Sequence, residues 1–273
     1  MSHYIQLIGL LGLMLFYSGS ISAVDGYQFI DARTQSLGGC GSVIPGFSNP
    51  SLYVFFSSEG RIASLQYRNK YVMNEFSTYA GMFNFPNRYL NAGVYVSRYG
   101  FNAYHETMAS LHIYRRLSKY ISLGVRADYL NLHYSQSESN KSAVTADLFF
   151  SAQPAENLFI SVLALNPIGV DVKVGADKME VPIVLAVGTR YLYQKKFGVQ
   201  VELEKDFSHP MVGKLGLEYI PIPQLSLRAG VYGKPFTSCF GVGLRLSAFS
   251  LDIAFSRHPV LGFCSSCGLS FEY

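Results

Sequence analysis

Three side-chain pairs and one cysteine motif are where this 273-residue sequence could do chemistry. Ser110 stands two residues before His112, His133 two before Ser135, and Asp206 three before His209. A hydroxyl beside an imidazole begins a nucleophile–base pair, which still needs an acid to orient the base. None of the three pairs joins that acid to a nucleophile motif, so no catalytic residue is assigned and an enzyme is not expected. Cys264 and Cys267 form a CxxC, with Cys40 and Cys239 standing apart. A structural metal site needs four sulfur or nitrogen ligands, and no histidine accompanies either lone cysteine. No metal ligand and no cofactor is therefore assigned. Four cysteines in an exported chain permit disulfides, with three full pairings open. Cys40 follows Leu37-Gly38-Gly39 in the manner of a lipid-attachment box, but polar DGYQFIDARTQS precedes it, so lipidation is not expected.

The chemistry is sparse, and the elements that surround it say more. Tyr and Phe contribute 20 residues each, Gly 25 and Trp none, while charged residues make up 15%. Aromatic residues fit pleated sheet, and glycine weakens helices, so the balance favours strands. A net charge of +4 spread along the chain gives no stripe for nucleic acid. Residues 5–17, IQLIGLLGLMLFY, are almost wholly apolar, and SGSISA follows. That pattern reads as a signal peptide over 1–23, cut near Ala23. The run is shorter than the ~20 residues a membrane helix needs, and no comparable run recurs. If the exported chain spans a membrane, only a closed barrel satisfies its backbone.

From residue 61 to 273 the sequence is a train of fourteen strand-like segments. Alternation is clearest late in the chain. Val199, Val201 and Leu203 oppose Gln200, Glu202 and Glu204; Leu215 and Leu217 oppose Lys214, Gly216 and Glu218. One face is apolar in strand after strand, and the other mixes Gly, Ser and charges. The expected fold is all-β: a transmembrane antiparallel barrel of about 14 strands, multi-pass in a bacterial outer membrane, its outer face in contact with lipid. Glu202, Glu204, Glu218, Arg228, Arg245 and Asp252 are the candidate lumen lining. Connections after even strands are short, and the two longest, 135–141 and 167–179, fall on the other rim. The remaining outer loops are short, so no large extracellular lid is expected. SFEY, residues 270–273, places Leu269, Phe271 and Tyr273 on the apolar face of a closing strand that pairs with residues 61–71.

Residues 24–60 have no clean period, and their Gly-rich SLGGCGS and aromatic YVFF fit a plug or hatch inside the barrel. DARTQSLGGCGSV followed by FSNPS resembles the opening of the PorV/PorQ group of Bacteroidota outer-membrane proteins, related to the FadL-type fatty-acid channels. The matching positions include Asp31, Arg33, Gly38, Gly39, Gly41, Asn49 and Pro50. The resemblance implies a fourteen-stranded barrel with an N-terminal hatch. The chain is short for a FadL-type transporter, with a small hatch and little outer-loop material. The first functional expectation is accordingly a non-enzymatic accessory or structural component of a protein-secretion or outer-membrane assembly complex, partnered by larger outer-membrane proteins. The alternative is a FadL-like channel for a hydrophobic small molecule.

Overall fold

The two ends of the strand train meet. Ile62 pairs with Glu272 and Asn69 with Ser265, and Arg61 and Tyr273 exchange backbone hydrogen bonds of 2.9 and 3.0 Å. The structure, a computed structural model, describes residues 26–56, 61–87, 89–135, 141–174, 177–233 and 235–273. The expected signal peptide over 1–23 lies outside the described residues.

The described residues form sixteen strands. The first seven are β1 (Ile62–Asn69), β2 (Ser77–Phe85), β3 (Asn91–Gly100), β4 (Tyr104–Arg116), β5 (Ile121–Tyr134), β6 (Lys141–Ala155) and β7 (Leu158–Leu165). A two-stranded hairpin of β8 (Asp171–Val174) and β9 (Asp177–Glu180) interrupts the train. Then come β10 (Val184–Tyr193), β11 (Phe197–Asp206), β12 (Val212–Ile222), β13 (Leu225–Tyr232), β14 (Thr237–Leu246), β15 (Phe249–His258) and β16 (Gly262–Glu272). All but β8 and β9 form one closed antiparallel barrel of fourteen strands, as the period-2 pattern requires.

Alternation decides which side of the wall each residue meets. Leu65, Val96, Leu111, Val144, Leu203 and Phe240 are among the exposed outward residues, an apolar band suited to lipid. Their inward neighbours are polar and buried: Gln66, Ser110, Thr145, Glu202 and Cys239. Cys264 is buried and Cys267 exposed, as opposite parity on a regular strand demands, and all four cysteines are free thiols. The ladder is regular nearly everywhere. Among the described residues, register shifts occur between Ala152 and Ala155, where β6 meets β7, and between Tyr219 and Ile222, where β12 meets β13. Both shifts lie at the rim that carries the short turns and the ends of the barrel train, the periplasmic rim in this class.

The interior is filled from both directions. Residues 26–56 lie within the barrel, and most are buried. Helix α1 (Ala32–Ser36) begins at Asp31, whose carboxylate accepts the Thr34 N–H at 2.8 Å. Gly38 and Gly39 follow with φ of +68° and +74°, a left-handed reversal that L-residues with side chains resist. A 3-10 turn over Pro50–Leu52 is capped by Asn49 and leads into the short helix α2 (Tyr53–Phe56). From the opposite rim, the excursion between β7 and β10 folds into the mouth. Val172 and Val181 are buried there against Tyr27, Phe29, Phe47 and the inner faces of β2 to β6. The expectation of no substantial outer lid is thus corrected. DVKV and DKME, within the stretch taken as loop, pair as a hairpin and carry apolar residues inward.

The lipid-facing band makes a direct prediction. Val242→Arg, near the middle of β14, should cost about 2–4 kcal/mol of unfolding free energy in lipid vesicles. Ser226→Arg, facing the inner wall at the periplasmic end, should cost well under half as much.

Candidate functional site

The hatch is held by charges that the wall strands project inward. Glu218 on β12 accepts Arg190 Nη2 of β10 at 2.8 Å and Arg228 Nε of β13 at 2.8 Å. Arg33 of α1 approaches the same carboxylate at 3.3 Å. Arg228 also pairs with Asp252 of β15. A second clamp forms around Glu202 on β11. It accepts the Ser42 N–H at 2.7 Å, the Ser42 hydroxyl at 2.5 Å and Lys214 Nζ at 2.9 Å. Lys214 in turn reaches Glu204 at 2.7 Å and the Gly39 carbonyl at 3.0 Å. A third clamp lies on β5 and β6. Arg126 pairs with Asp128 and Asp147 and donates to the Phe47 carbonyl at 2.9 Å. Asp147 also accepts the Tyr27 hydroxyl and the Asn166 N–H, tying hatch, wall and outer excursion to one carboxylate.

Close backbone approach complements these ion pairs. A Cβ on Gly216 would lie 2.6 Å from the Leu37 carbonyl, and one on Gly230 would strike the backbone of Leu37 and Gly38. Small wall residues let the hatch turn press directly on the sheet. Asn49 donates to Ser151 and Ser161 at 3.1 and 3.0 Å, and Ser122 donates to the Ser51 carbonyl. Burial raises the Asp31 carboxyl from its ordinary range, opposed by the Thr34 N–H that favours its ionised form.

The expected hatch residues Asp31, Arg33, Gly38, Gly39, Gly41, Asn49 and Pro50 all fall within this docked segment. Of the candidate lumen residues, Glu202, Glu204, Glu218, Arg228 and Asp252 join the clamps. Arg245 does not; its side chain is exposed beside the periplasmic opening. Sequence reasoning passed over Arg126, Asp128, Asp147 and Arg190 as anchors. Charges at alternate positions of otherwise apolar strands, as in RADY of β5, were the signal. The chemical pairs also resolve. His112 bonds Asn84 at 2.5 Å rather than Ser110, which binds Asp128. His133 stacks on His105, and His209 with Asp206 is surface-exposed. Among the described residues no three metal-ligating side chains gather.

The hatch divides the interior into two spaces. On the outer side a chamber of about 40 Å³ is lined by Phe29, Phe47, Tyr95, Met108 and Leu163 together with the charged Arg126, Glu202, Glu204 and Lys214. On the periplasmic side a vestibule of about 1020 Å³ opens between the hatch and the wall. Phe47 lines both. Its ring contacts Phe29 at 5.2 Å and Tyr95 at 5.3 Å, edge to face.

Comparison finds no matching protein family and no matching curated protein. Solved structures do match in fold. The toluene transporter TodX of Pseudomonas putida superposes with a TM-score of 0.64 at 12% identity, covering 92% of this chain and 98% of its own. The CymD monoaromatic hydrocarbon channel gives 0.65 at 12% identity, covering 89% and 97%. A Pseudomonas aeruginosa FadL homologue gives 0.61 at 11%, covering 90% and 98%. The chain therefore has the FadL-type fourteen-stranded outer-membrane fold. The first functional expectation, an accessory component of a secretion or assembly complex, is corrected by these matches, which favour the channel alternative. It leaned on a small hatch and scant outer loops, yet the hatch reaches wall strands on opposite sides of the lumen and the β7–β10 excursion packs Val172 and Val181 inward at the mouth.

Two substitutions separate the clamp from general packing. Glu218→Ala leaves two buried guanidiniums, Arg190 and Arg228, and the half-buried Arg33 without their shared carboxylate and should cost about 3–5 kcal/mol in chemical unfolding. Gly230→Val should keep the folded barrel's electrophoretic mobility but displace the hatch, seen as a several-fold rise in proteolysis of residues 26–56.

Proposed function

We propose that this protein is a channel for a small hydrophobic molecule, passed along the barrel axis from the outer mouth to the periplasmic vestibule. The observation that carries the reading is Phe47. One ring on a glycine-adjacent stretch of the hatch (Pro45-Gly46-Phe47) separates an aromatic-lined chamber from a wide opening. The chamber at about 40 Å³ is smaller than the roughly 150 Å³ cavity that holds benzene. A monoaromatic solute would need Phe47 to withdraw. The continuous ladder favours an axial path, since its two register shifts lie at one rim and a side exit would need hydrogen bonds broken in mid-wall. The hydrocarbon cargo named for TodX and CymD supports the solute class. The likeness of residues 31–50 to the PorV/PorQ group is one of sequence, and no secretion role is drawn from it.

The test is uptake of radiolabelled toluene by cells that produce the protein and have no other hydrocarbon channel. Uptake should exceed that of control cells, and Phe47→Ala should raise the initial rate several-fold. Rates equal to the control for both chains would end the proposal.

A further inference from the structure

The vestibule carries a feature that a path for neutral hydrocarbon does not require. Arg190 is 3% exposed, yet its Nε and Nη1 have no hydrogen-bond partner among the described residues. Gln200, its cross-strand neighbour on the inner wall, is fully buried with both amide atoms unpartnered. Arg33 Nε, from the hatch side of the same carboxylate, is unpartnered too. Buried polar atoms in folded proteins nearly always find partners, so this many at one spot mark a place built for a further polar group. The character of that group follows from the donors left free. Arg33 and Arg190 share the single carboxylate of Glu218, while Arg228 divides itself between Glu218 and Asp252. The vestibule lining as a whole balances five basic against five acidic side chains, so the preference rests on the unpartnered guanidinium N–H groups, which favour an anion with two oxygens.

Aromatic rings lie directly beside these donors. Phe56 stacks on Phe159 with centroids 4.6 Å apart, and Phe55 stands 6.3 Å from the same ring. The Arg190 guanidinium carbon is 5.2 Å from the Phe56 centroid. Arg33, Phe55, Phe56, Phe159 and Arg190 all line the vestibule. Phe56 is 38% exposed and covers the guanidinium, so its ring is the part that lifts to admit a ligand.

We propose that the vestibule holds a binding site for an aromatic carboxylate, its carboxylate on Arg190 and Arg33, its ring among Phe55, Phe56 and Phe159, and Gln200, in the wall beside Arg190 and outside the vestibule lining, reached once Phe56 lifts. The site deepens the channel reading by naming a solute class that bears an acid group. Binding is measured apart from flux, so the two readings can fail separately.

The experiment is equilibrium dialysis of the full-length protein, purified in detergent, with radiolabelled benzoate. Benzamide serves as a neutral comparator and octanoate as a non-aromatic acid. Benzoate should bind at least tenfold more tightly than either. Arg190→Gln should weaken benzoate at least tenfold and leave benzamide unchanged. Gln200→Leu retains every charge and carries the test if the arginine variant fails to fold, which retained heat-modifiable migration in gels reports. It should weaken benzoate several-fold; unchanged affinity with raised thermal stability would mean a merely unsatisfied amide and overturn the site. Equal binding of benzoate and benzamide would overturn the carboxylate assignment, and equal binding of octanoate the aromatic one. Benzoate binding without toluene uptake would sink the hydrocarbon channel and leave the site standing.

Discussion

The organisation of the interior depends on a buried carboxylate shared between wall and hatch. Glu218 is 1% exposed and collects guanidiniums from β10, β13 and α1. Taking such charges out of water costs several kcal/mol per ion, so the arrangement is worth keeping only if the partners stay together. The consequence is a hatch with a defined seat. Lys214 with Glu202, and Arg126 with Asp147, repeat the device at other points of the circumference. Wall glycines at 216 and 230 let the hatch turn approach closely enough for these bonds to form.

The division of the lumen follows from where those clamps fall. Arg126 holds the Phe47 carbonyl, so the aromatic partition hangs from the same network that fixes the hatch. An apolar cluster around Phe29, Phe47 and Tyr95 meets the outer chamber, which Arg126, Glu202, Glu204 and Lys214 also line, and the vestibule mixes charges and serines with Phe55, Phe56 and Phe159. Asn166 links the outer excursion to this system, bonding Thr145 on the wall and the Val170 and Val181 carbonyls of the excursion. A change at the mouth therefore reaches Asp147, and through it the hatch.

Much of the barrel was legible because period-2 alternation is imposed directly by the pleat. Val199 to Glu204 could be assigned to faces by eye, and the closing role of SFEY followed from it. Strand β6 runs through Pro154 to Ala155 because Pro154 sits beside a register shift where a missing N–H is tolerated. Four-residue strands inside a long loop left too few positions for alternation to stand out, so the β8–β9 hairpin was missed. The inward direction of Glu218 was readable, whereas its bond to Arg33, 185 residues away, was not. Phe47 had no visible role at all. A lone aromatic in an irregular segment acquires meaning only from the rings it meets in three dimensions. The functional expectation erred for a related reason: loop length was taken as a measure of what the loop fills.

A crosslink between Ser42 and Gly188 tests most directly whether the hatch occupies the lumen and controls passage. A Cβ on Gly188 would touch the Ser42 hydroxyl, which puts two introduced thiols within disulfide reach. In a background with the native cysteines replaced by serine, Ser42→Cys with Gly188→Cys should oxidise to near completion. Toluene uptake should then fall to the control rate and return on reduction. Absence of the crosslink in the folded barrel, or uptake indifferent to it, would contradict a seated hatch that gates the channel.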